Sequence, residues 1–256
     1  ANNIALNANL GVTGSNDLTL GGVISGAGGV SKNGAANLTL NGTNTYTGGT
    51  TLNAGTLTLG GAAALGSGTL TVAGPSTLDN SSALVLANNV TVNDNLSVTG
   101  TNNLTLGGVL DGAGTLTKNG AADLTLGGNN TFSGNFNVLG GSLTTTSATA
   151  LGNNAGLNLG AGTQLNLGAS ASLGSLTGNG TALIGGGNIL SLGGGNQSST
   201  FDGVLDGGGQ LNKLGTGTLT LSGINTLTGD TSVNGGTLNL SGSLASGNVA
   251  VNSGAT

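Results

Sequence analysis

The sequence predicts an all-β chain wound as a parallel β-solenoid of about twelve coils. Three observations carry that expectation: a long internal repeat, a strict two-residue alternation of leucine with threonine or asparagine, and an almost uncharged composition.

The repeat comes first because it fixes the architecture. Shifting the chain by 86 residues superimposes residues 16–59 on 102–145 with about 25 of 44 positions identical, far above chance even in a glycine-rich text. Lys32 falls on Lys118 and Tyr46 on Phe132. A further shift of about 95 residues carries Lys118, Leu124, Leu126 and Phe132 onto Lys213, Leu219, Leu221 and Leu227. The chain therefore reads as one solenoid, 1–256, with internal repeats at about 1–86, 87–181 and 182–256, and as a segment of a longer protein. Within the blocks a shorter rhythm runs. Leu18, Leu38, Leu57 and Leu78, and again Leu104, Leu124, Leu143 and Leu165, recur every 19 to 22 residues, the length of one coil. Breaks in the winding are expected near Pro75 and in the segment from Gly185 to Ser199.

The alternation supplies the strands. Asn37-Leu38-Thr39-Leu40, Thr56-Leu57-Thr58-Leu59 and Thr218-Leu219-Thr220-Leu221 have period two, which puts leucine on one face and threonine on the other. The inward set is Leu18, Leu20, Leu38, Leu40, Leu57, Leu104, Leu106, Leu124, Leu126, Leu143, Leu219, Leu221 and Leu238. A coil alone cannot bury such a face, but neighbours stacked about 4.8 Å apart cover it and complete the backbone hydrogen bonds, giving a rod of roughly 55–60 Å. Tyr46, Phe132 and Leu227 share one repeat position and read as hydrophobic packing at a coil corner.

Composition removes most chemistry. There is no histidine and no cysteine among 256 residues, so the common zinc, copper and haem ligand sets, Ser-His-Asp and Cys-His dyads and disulfides are absent. Three lysines and no arginine, against eight aspartates and no glutamate, give a net charge of −5 and no basic groove for nucleic acid. The apolar residues come in pulses too short for a transmembrane helix. No secretory leader opens the text, so one was removed or the text is a segment.

The remaining candidate sites have plain structural readings. Lys32, Lys118 and Lys213 stand about 19 Å apart along a rod, too far to converge on one anion, and read as solvated corners paired with Asp111 or Asp206. Asp111 and Asp206 lack the nine-residue register of calcium-binding β-rolls and read as turn formers. The eight aspartates, scattered from Asp17 to Asp230, advertise no carboxylate pair for polysaccharide cleavage. Glycine runs at 26–29, 185–187 and 207–209 precede no helix and no Gly-Lys-Ser/Thr, so they are corners rather than phosphate loops. Outward threonine pairs at 56/58, 69/71, 115/117 and 218/220 suggest an ice-binding array, but asparagine or aspartate at 17, 37, 103 and 123 breaks the row.

Three stretches carry a family resemblance: Gly-Ala-Gly-Gly-Val-Ser-Lys-Asn-Gly at 26–34, Leu-Thr-Leu-Asn-Gly-Thr-Asn-Thr-Tyr-Thr-Gly-Gly-Thr at 38–50, and Leu-Asn-Ala-Gly-Thr-Leu at 52–57. They resemble the autotransporter-associated β-strand repeat of type V secreted bacterial passenger domains. The copy beginning Lys118-Asn119-Gly120 is close. The copy at Lys213-Leu214-Gly215 departs, with Leu227 where an aromatic is usual. The resemblance implies a right-handed parallel β-helix at the bacterial cell surface or released from the outer membrane, with a translocator β-barrel of the same polypeptide as its partner.

The function expected from these readings is a non-enzymatic stalk that aids export by folding as it emerges, with no catalytic residue, metal or cofactor. Two alternatives stand beside it. One is a self-associating filament or adhesin, joined end to end through Val249–Val251 and residues 1–6 or holding a host-surface ligand. The other is a polysaccharide-processing β-helix enzyme.

Overall fold

The computed structural model describes residues 2–100 and 102–256. Among them are 34 strands of two to five residues and no helix. Every strand pairing is parallel. The chain visits three sides in a fixed order, as in Ile4–Leu6, Leu10–Val12, Leu18–Leu20, then Ile24–Gly26, Val30–Lys32, Asn37–Leu40. The third side is one unbroken 12-stranded sheet, which sets the number of windings at about twelve. The first side comes in 2-, 7- and 2-stranded pieces and the second in 6- and 5-stranded pieces.

Each side stacks like on like, because a parallel register with about 20 residues per turn returns the same parity to the same height. On the third side Leu18, Leu38, Leu57, Leu78 and Val98 are successive partners. On the first side Leu104, Leu124, Leu143 and Leu165 do the same. The core is therefore not one leucine column but several lining a three-sided interior. Windings approach so closely that side chains are excluded at some corners. A Cβ on Gly134 would stand 1.8 Å from the Gly114 carbonyl oxygen of the winding before.

The inward set is buried with three exceptions, all in outermost strands of the third side. Leu18 is 40% exposed, because among the described residues no earlier strand of that sheet lies against it. Leu20 and Leu238 are half-buried against the core. Pro75 makes no break: it precedes Ser76–Asn80, which holds five residues in register with Gly55–Leu59. The stretch from Gly185 to Ser199 is partly regular. Ile189–Leu192 pairs on both edges, and the irregularity narrows to residues 193–198, where Asn196 takes a φ of 63°.

The repeats do not lie on the same side. Asn37–Leu40 is on the third side, its copy Asp123–Leu126 on the first, and Thr218–Leu221 on the third again. With about 20 residues per winding, an offset of 86 is roughly four and a third turns and one of 95 roughly four and two thirds. The first and third copies are thus in phase, nine strands apart in the 12-stranded sheet, with the middle copy a third of a turn away.

Candidate functional site

The lysines depart most from expectation. Lys32, Lys118 and Lys213 are 1%, 2% and 1% exposed, so they are not solvated corners. Each occupies an inward place in an apolar column. Lys32 stands between Val12 and Leu52, Lys118 between Val98 and Val138, and Lys213 between Leu192 and Val233.

At the end of each stem the ammonium turns into a corner and donates to backbone carbonyls of two windings. Lys32 Nζ donates to Gly34 O and, at 3.1 Å, to Ala54 O. Lys118 Nζ donates to Gly120 O and, at 3.1 Å, to Gly140 O. Lys213 Nζ reaches Leu214 O, Gly215 O and Gly235 O at 2.6, 3.0 and 3.0 Å. Burial lowers all three pKa values; Asp17 opposes this at Lys32 and Asp123 at Lys118. The aspartates expected to pair with them lie elsewhere. Asp111 accepts from Thr131 Oγ1 at 2.9 Å and Asp206 from Thr226 Oγ1 at 2.7 Å, each one winding along.

A second clasp went unread in the sequence. Asn44, Asn130 and Asn225 share one repeat position and are 3%, 3% and 1% exposed. Each uses both ends of its amide. Asn44 accepts from Ile24 N at 2.8 Å and donates to Ala64 O at 2.6 Å, joining the windings before and after its own. Asn130 does the same with Leu110 N and Ala150 O, both at 2.7 Å. Asn225 accepts from Leu205 N at 2.9 Å and donates to Ser243 O at 2.9 Å. In the first two copies these corners fall where a sheet is interrupted, so an amide side chain does the work of the missing ladder. The signal was there: asparagine two residues before Tyr46, Phe132 and Leu227.

Those three residues are fully buried beside the asparagine. The space is shared with the side chain four positions on. Tyr46 Oη lies 2.6 Å from Thr50 Oγ1, whereas Phe132 meets Phe136 with ring centroids 4.8 Å apart. Burial raises the Tyr46 pKa, against the hydrogen bond to Thr50.

The outer surface of the third side is a row of hydroxyls and amides. Thr56, Thr77, Ser97, Thr117, Asn137, Asn158 and Thr177 are successive partners. Its hollow around Thr115, Asn135, Asn137, Asn158, Ser175 and Thr177 holds no titratable side chain. Among the described residues no three of His, Cys, Asp or Glu group closely enough to hold a metal ion.

The sequence profile of the passenger-associated-transport-repeat matches the chain three times, at residues 30–59, 116–144 and 211–240. Each match contains one buried lysine, one clasping asparagine and one corner residue of the set Tyr46, Phe132 and Leu227. No curated protein and no solved structure matches the chain.

Proposed function

We propose that this chain, which carries three passenger-associated transport repeats and so has the sequence character of an autotransporter passenger, serves as its non-enzymatic stalk. It would be a stretch of a longer polypeptide whose translocator barrel leads it to the bacterial surface. The observation that carries the reading is the coincidence of the matched segments with the lysine and asparagine clasps. Each clasp joins a winding to a neighbour, so the repeat is a device for stacking.

The mechanism is packing. A thread without disulfides passes a pore unfolded, and each winding closed outside buries leucines worth about 1.5–3 kcal/mol apiece, which opposes return. The test is secretion of the full polypeptide with Leu38, Leu124 or Leu219 replaced by aspartate. Each is at most 1% exposed, and surface yield should fall at least about tenfold. Val85→Asp, at an outward site in the middle of the chain that is 57% exposed, should leave yield near that of the parent. Equal yields from all four variants would reject the stalk-folding role.

A further inference from the structure

We propose that burial of every basic side chain hides the wound chain from proteases that cleave after lysine or arginine, so that this class of enzyme removes only chain that has failed to wind. The inference is independent of where the protein resides.

The sequence offers such a protease three sites, at Lys32, Lys118 and Lys213, and no arginine. Hydrolysis adds one water across the following peptide bond. Its hydroxyl joins the lysine carbonyl carbon and a proton goes to the departing nitrogen. The protease must first hold the lysine side chain in its acidic pocket and the carbonyl oxygen in its oxyanion hole.

All three handles are already in use. The side chains are at most 2% exposed and their ammonium groups are held by carbonyls. The carbonyl oxygens of Lys32, Lys118 and Lys213 accept from Asn53 N, Leu139 N and Asn234 N at 2.9, 2.8 and 2.8 Å. The nitrogens of the three scissile bonds, on Asn33, Asn119 and Leu214, donate to Val12 O, Val98 O and Leu192 O at 2.8, 2.9 and 2.7 Å. Each scissile bond is therefore tied to the winding before and the winding after, and cutting it requires both contacts to open.

The loop at residues 193–198 provides the contrast. Gly195 is exposed there, and a Cβ on it would meet nothing nearer than 3.9 Å. Trypsin digestion of the parent and of Gly195→Lys, each native and in urea, tests the proposal. The native parent should be cut at least about 100-fold more slowly than in urea. Native Gly195→Lys should be cut once, after position 195, and both chains in urea should be cut at all three natural lysines. Native cleavage of the parent within about tenfold of the urea rate overturns the proposal. So does a Gly195→Lys chain that trypsin leaves whole while a broad-specificity protease nicks the same loop, since exposure of a lysine would then not be what decides. Amine acylation gives a second reading that needs no variant: the three lysines should be unlabelled in the native chain and labelled in urea, and native labelling of all three at the urea rate also overturns it.

Discussion

Lys118 Nζ donates to the carbonyl of Gly140 in the following winding, 3.1 Å away, from a column position between Val98 and Val138. The side chain thus belongs to the core along its stem and to the backbone network at its tip. Lys118→Ala removes both and leaves the Gly120 and Gly140 carbonyls without their donor. A loss of about 2–4 kcal/mol is expected. Lys118→Met keeps most of the stem and should lose about 1–2 kcal/mol. Urea midpoints check the order; a loss under about 0.5 kcal/mol for Lys118→Ala would be that of a surface lysine.

Asn130 closes two backbone groups at once. Asn130→Ala orphans Leu110 N and Ala150 O and should cost about 2–4 kcal/mol. The adjacent exposed Asn129→Ala should cost under about 0.5 kcal/mol. Amide hydrogen exchange at Leu110 gives a local reading, with protection lost in the first variant and kept in the second.

Thr145 marks an opportunity. It faces inward between Leu126 and Leu167, fully buried, and its hydroxyl has no partner. Thr145→Val keeps the shape and removes the unpaired oxygen, so it should stabilise the chain by about 1 kcal/mol. A lowered thermal midpoint would show that the hydroxyl is satisfied in solution.

Alkaline pH separates the lysines from the tyrosine. Burial lowers the three lysine pKa values from the usual 10.5, so between the lowered values and 10.5 the unfolded chain binds more protons and stability rises with pH. Burial raises Tyr46 from 10.0, so above that pH the unfolded phenol ionises first and stability falls. Urea midpoints from pH 8 to 11.5 should therefore climb and then turn down, and Tyr46→Phe should remove the Tyr46 part of the fall. A steady decline from pH 8 in Tyr46→Phe would contradict the sign assigned to the lysines.

The windings could be read from the alternation because parity alone decides which side chains meet, and the leucine spacing repeated the length of a turn. The same parity held the fate of the lysines. In Val30-Ser31-Lys32, Leu116-Thr117-Lys118 and Leu211-Asn212-Lys213 the lysine falls on the side of the valine or leucine. Charge suggested water, whereas a carbonyl-lined corner of this fold accepts an ammonium. The asparagines were harder to read, because their bonds run to windings about 20 residues away on either side and no local pattern names those partners. Leu18 keeps the inward place opposite Leu38, and its exposure shows that alternation says which way a residue points while its cover depends on a neighbouring strand.

The third-of-a-turn offset between the first two copies bears on how such a chain can grow. Since a repeat unit packs as well against one flank of the prism as against another, a tandem duplication need not span a whole number of turns to be tolerated. Recombination between unequal lengths of gene can extend or shorten the shaft, and the geometry absorbs the remainder as rotation about the long axis.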